Sequence, residues 1–211
     1  MSDPLLSVQY SLEELKAAVN AAKDYDAYVM IHVYTSKAMQ RAAEAGVMSF
    51  EHATLLDEET ARIVKDKGIW LVPGPQFADV PMMAKNPNLP PHIRQKALLA
   101  WQGEQQQTEL IQKYNLNILF GTDATGTPAD TVKRMLNDLG IYKKRFGDLE
   151  ALRAATGKMN ELIKLCTYQN PYPDGKIGIL EAGSYADLLI VNGNPVKNFE
   201  LLTNPENMLV S

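Results

Sequence analysis

The run Ala27-Tyr28-Val29-Met30-Ile31-His32-Val33 decides the fold class. It is a continuous β-prone stretch, and such runs mark strands covered on both faces, as in parallel sheets. On its N-terminal side, Ser11-Leu12-Glu13-Glu14 forms a capping box with Ser11 at N-cap and Glu14 at N3. Leu12, Leu15, Ala18, Val19 and Ala22 then recur at helical spacing and predict a helix over 11–24. On its C-terminal side, Ser36 is placed to cap a helix from Lys37 to Ala45, which Gly46 terminates. Val47 to His52 reads as a second strand. Asp57 caps a helix that runs through Lys67 and ends at Gly68, and Ile69-Trp70-Leu71-Val72 is a third strand.

A Pro-rich stretch from Pro73 to Pro91 is too long for a tight connection and reads as a loop over a site. A long amphipathic helix follows from His92 to Tyr114. A fourth strand, Asn117-Ile118-Leu119-Phe120, leads into Gly121-Thr122-Asp123, and two helices fit 129–146 and 148–165. This alternation of strands and helices predicts βα units around a parallel sheet. The tail differs. Gly175 to Leu180 and Ala186 to Val191, joined by the turn Glu181-Ala182-Gly183, read as β-structure outside the series. The expected organisation is therefore a βα region over 1–168 and a β tail over 169–211.

Composition narrows the function classes. A chain of 211 residues that is 45% hydrophobic and 22% charged can bury a core as one domain, or one with a small appendage. Its net charge is −4, and Lys143-Lys144-Arg145 is the one basic cluster, which argues against a nucleic-acid partner. No apolar run approaches the ~20 residues of a membrane span. The first residues carry neither a basic nor an apolar leader segment, so a cytoplasmic location is expected. The single Cys166 cannot form an internal disulfide and reads as a buried, inert thiol.

Chemistry-bearing residues gather at strand ends. His32, His52 and Asp123 all stand at the C-terminal ends of predicted strands, the end at which parallel α/β folds build their sites. Imidazole and carboxylate are zinc-competent donors, and a bound metal would bring the pKa of its water to about 7. The same residues could equally be hydrogen-bonded strand-end groups, and Gly-Thr-Asp could be an ordinary Asx turn. His92 reads as a surface residue at a helix start.

At these positions the sequence resembles the amidohydrolase superfamily, and more closely its imidazolonepropionase-like and Xaa-Pro dipeptidase (prolidase)-like members. The words that carry the resemblance are Val29 to Thr35, Ala43 to His52, Leu56 to Thr60, Lys67 to Pro73, Ile118 to Ala124 and Gly178 to Pro195, in the family's order. The resemblance implies a (β/α)8 TIM-barrel hydrolase that uses one or two divalent metals, zinc foremost. By motif, His32 resembles the metal ligand of strand five and His52 that of strand six. Asp123 resembles the strand-eight carboxylate, which binds metal and shuttles the proton. Water would attack an amide or cyclic amide carbonyl. Tyr34, two residues beyond His32, should share its face and could touch substrate or pack at the rim.

Family members also carry a His-x-His pair on strand one and a carboxylated Lys or Glu on strand four. No His precedes His32. The chain thus looks like the C-terminal half of such an enzyme, strands five to eight plus a short β tail. A small amide or peptide substrate is expected. So is a partner for the open sheet edges, either a second copy or the missing half. The competing expectation is a non-catalytic half-barrel module that serves assembly.

Overall fold

The computed structural model describes residues 5–74, 88, 90–124 and 126–210. They divide into two compact units, Met1–Ile118 and Leu119–Ser211. The Pro-rich stretch over 73–91 lies mostly outside the described residues.

In the first unit, helix α1 (Leu12–Asp24) begins at the expected capping box: the Ser11 hydroxyl accepts from the Glu14 amide and the Glu14 carboxylate accepts from the Ser11 amide. Strand β1 (Met30–Thr35) starts three residues later than its β-prone run. Helix α2 (Ser36–Ala45) is capped by the Thr35 hydroxyl, which accepts from the Ala38 amide, and not by Ser36. Ser36 does something else. Its hydroxyl donates to the Leu55 carbonyl at 2.8 Å and accepts from the Asp57 amide at 2.9 Å, so it ties the end of β1 to the end of the next strand.

That strand is β2 (Ser49–Leu55), followed by α3 (Glu58–Lys67), whose Asp57 N-cap accepts from the Thr60 amide. β3 (Trp70–Val72), the long helix α4 (Pro91–Tyr114) and β4 (Asn117–Ile118) complete the unit.

The four strands form one parallel sheet in chain order, β1-β2-β3-β4. Ile31, Phe50, Leu71 and Ile118 stand at one level across it, and the last three are fully buried. With Met39 and Ala42 of α2, Ala61 and Val64 of α3 and Ile111 of α4 they make the core. Parallel pairing forces each return through a helix.

The second unit holds α5 (Pro128–Phe146), α6 (Asp148–Ala155), α7 (Met159–Ile163) and a short antiparallel pair of β5 (Ile190–Val191) with β6 (Met208–Val210). The single helix expected over 148–165 is broken at Thr156 to Lys158. There the tail crosses so closely that a Cβ on Gly178 would meet the Thr156 carbonyl carbon at 2.4 Å. Of the expected β segments, 175–180 and 186–189 are not strands: the Tyr185 amide donates to the Lys176 carbonyl at 2.9 Å, but among the described residues no ladder forms there. Tyr142 anchors this unit, fully buried, its hydroxyl donating to the Leu119 carbonyl at 2.8 Å. Cys166 is a free thiol of intermediate burial rather than a buried one. Among the described residues no helix is long and apolar enough to cross a membrane.

Candidate functional site

Strand alternation places Met30, His32 and Tyr34 on one face of β1, while Val33 and Thr35 are buried on the other. On β2, Glu51 stands in register with His32. Continued alternation would turn His52 to the opposite face. The backbone prevents this. His52 and Ala53 are both left-handed, at φ 68° and 49°, and the β1–β2 register slips so that Val33 pairs with His52 but Thr35 with Leu55.

One extra residue in β2 is a bulge, a device that re-aims side chains beside sites. It brings His52 alongside His32, with Nε2 of His52 2.6 Å from Nδ1 of His32. One ring donates a proton and the other accepts it. Tyr34 completes the group: its ring stacks on His52 with centroids 5.1 Å apart and meets His32 edge-on at 4.8 Å.

The two imidazole nitrogens face each other closely enough to serve as a pair of metal ligands after a small displacement. Zn–N bonds of ~2.0–2.1 Å in tetrahedral geometry hold two such nitrogens roughly 3.3 Å apart, so the rings need to part by only about 0.7 Å. The donor chemistry fits a borderline-soft divalent cation. Among the described residues, no three His, Cys, Asp or Glu side chains form a metal-holding group. Asp123 belongs to the second unit, is exposed, and has the left-handed backbone of a turn at φ 50°, with the neighbouring Thr122 hydroxyl accepting from the Ala124 amide. His92 is an exposed residue of the first turn of α4.

Two residues of this region escaped the motif reading. Glu51 is partly buried, and burial pushes its carboxyl above the usual range, offset in part by a hydrogen bond from the Ser49 hydroxyl at 2.8 Å. Its signal was positional: the residue before His52, two beyond Ser49, shares the His32 face once the register is known. Gln107 of α4 is buried and donates through Nε2 to the His52 carbonyl at 2.5 Å. No sequence signal marks it, because it lies far from His52 along the chain.

Known proteins share this fold. The chain superposes on a prolidase complexed with N-methylphosphonate-L-proline with a TM-score of 0.81 and 28% identity, covering 96% of this chain and 47% of that one. An Xaa-Pro dipeptidase with methionine bound in its active site gives 0.78 and 29%, covering 93% and 46%. Ochratoxinase of Aspergillus niger is 26% identical over 200 residues, 94% of this chain and 39% of the relative, and its crystal structure matches with a TM-score of 0.81. The chain therefore spans less than half the length of these relatives. The sequence profile of the amidohydrolase family, whose members are generally metal-dependent, matches residues 3–210. With nearly the whole chain inside that match, and strands and helices superposing on amide-cleaving relatives, the chain belongs to the amidohydrolase family.

Proposed function

We propose that this chain forms the later half of a metal-dependent amidohydrolase barrel that hydrolyses an amide bond in a dipeptide or N-acylated amino acid. The observation that carries the reading is the facing pair of imidazole nitrogens on two adjacent parallel strands, in a chain matched by the family profile over almost its whole length. The prolidase and Xaa-Pro dipeptidase neighbours favour a substrate with an imino-acid or amino-acid leaving group.

In this reading His32 and His52 would hold a divalent cation through the nitrogens that face each other, zinc by donor type. When bound, such a cation supplies a water acidic enough to lose its proton near pH 7 and polarises the amide carbonyl. By its motif, Asp123 would take a proton from the attacking water on a carboxylate oxygen and return it to the leaving amine nitrogen, so that a neutral amine departs. Tyr34, stacked on His52, keeps that ring upright and presents the aromatic wall nearest the ligands. The four-stranded sheet is half of an eight-stranded wall, and strands of the other half complete the ligand shell.

Metal analysis and zinc titration of the whole chain test the reading. Zinc should bind to the wild-type chain, and His32→Ala and His52→Ala should each weaken binding at least ~10-fold, since each removes one first-sphere donor. Unchanged zinc affinity in the His32→Ala/His52→Ala double variant would refute it.

A further inference from the structure

Nothing within β2 itself explains why it takes a left-handed turn at two successive non-glycine residues. Left-handed φ is disfavoured for residues with a Cβ, and such residues persist only where their surroundings hold them. His52 and Ala53 both adopt it, side by side, inside a hydrogen-bonded ladder. The surroundings must therefore fix them, and the contacts identify how.

Helix α4 packs tightly on this part of β2. At Gly103 the helix comes so close that a Cβ would lie 2.8 Å from the Thr54 carbonyl oxygen and 2.5 Å from the Leu55 side chain. One turn further along α4, Gln107 is buried to 1% exposure and donates its side-chain amide to the His52 carbonyl at 2.5 Å. A carbonyl turned out of the ladder by a bulge needs a donor when it is buried. Gln107 provides one at the residue whose ring meets His32.

From this geometry we infer that Gln107 is a positioning residue: by holding the His52 carbonyl, with Gly103 letting α4 come close enough, it fixes the bulge that aims the His52 imidazole at His32. Its importance for catalysis rests on the metal reading above. The positioning itself does not, because the imidazole pair is formed by the chain alone.

The test is a direct readout of that pair. In the full chain labelled with nitrogen-15 histidine and free of metal, a ring-to-ring hydrogen bond this short gives a resolvable nitrogen–nitrogen coupling across it. Wild type should show the coupling between His32 Nδ1 and His52 Nε2. Gln107→Met fills the same space without a donor and should lose it while circular dichroism still reports the fold. Gln107→Leu likewise removes the donor; it should lose the coupling too, and it decides the matter should Gln107→Met not fold.

Leu110→Ala, a buried truncation on the same helix, should keep the coupling. Absence of the coupling in wild type, its survival in Gln107→Leu, or equal loss in Leu110→Ala would each overturn the positioning role. Zinc titration of the wild-type chain separates the two readings. Coupling that depends on Gln107 in a chain that binds no zinc upholds the positioning role and removes the metal. Zinc binding with a coupling indifferent to Gln107 does the reverse.

Discussion

Gly103→Ala sets two well-measured effects against each other. Inside a helix, replacing glycine by alanine ordinarily gains about 1 kcal/mol from backbone entropy. Here the new methyl group would stand 2.8 Å from the Thr54 carbonyl oxygen, where a carbon–oxygen contact of roughly 3.3 Å is the comfortable limit. It would also stand 2.5 Å from Leu55 Cδ2. The leucine can rotate, but the carbonyl is strand backbone next to the bulge, so either α4 lifts or β2 bends. Overpacking of this kind costs about 1–3 kcal/mol. With two contacts too close at once the upper end applies, and the net effect is a loss of about 2 kcal/mol.

Gly140 is the internal comparison. It too lies inside a helix, α5, but an added Cβ would meet nothing nearer than Thr203 Cγ2 at 3.9 Å. Gly140→Ala should therefore stabilise by about 1 kcal/mol. Urea unfolding followed by circular dichroism reads both signs, and Trp70 and Trp101 report on the first unit by fluorescence. Stabilisation by Gly103→Ala of the same size as Gly140→Ala would refute the claimed seating of α4 on β2.

Other expectations follow from the junctions around the site. Glu58, at the start of α3, is held down to about 2 by hydrogen bonds from the Lys113 ammonium and the Tyr114 hydroxyl at the end of α4, with the charges of Lys113 and Arg62 adding to them. A carboxyl depressed in the folded state contributes stability above its ordinary value of 4.5 and loses it as pH falls toward about 2. Glu58→Gln should therefore flatten the fall in stability across that window, read from urea midpoints at several pH values; an unchanged acid limb would count against the network. Ser36→Ala removes both the donor to Leu55 and the acceptor of the Asp57 amide, and should cost about 1–3 kcal/mol with little change in helix content. If Ser36 acted only as a helix cap, far-ultraviolet dichroism would instead register loss of the first turn of α2. The histidine substitutions described above complete the set.

The elements of the first unit were largely legible because each depends on local signals. The capping box at Ser11, the Asp57 cap and the Gly46 and Gly68 stops all act within one turn of chain, and the helices end where they predict. Choosing between Thr35 and Ser36 as the cap of α2 was not local. Both can cap, and the decision falls to Leu55 and Asp57, about 20 residues away. The sequence singled out His32 and His52 as strand-end residues, whereas both strands run three residues further, and their meeting depends on a bulge that no residue type announces: His52 and Ala53 are held left-handed by α4, which the sequence places far off. The tail misled for a related reason. Ile177, Ile179 and Leu188 are β-prone, but a strand exists only with a neighbour, and among the described residues of the tail only Ile190–Val191 finds one, in Met208–Val210.

Because strand order equals chain order, assembly of the sheet is vectorial. The second and third strands each close a loop of about 20 residues onto the strand just before, whereas the fourth must wait for α4 and closes one more than twice as long. At (3/2)RT per natural logarithm of loop length, that last addition costs about 0.7 kcal/mol more than the others. During refolding, protection of amide hydrogens should therefore reach Ile118 after Phe50 and Leu71, with the hydrophobic row lengthening from one end as each crossover docks.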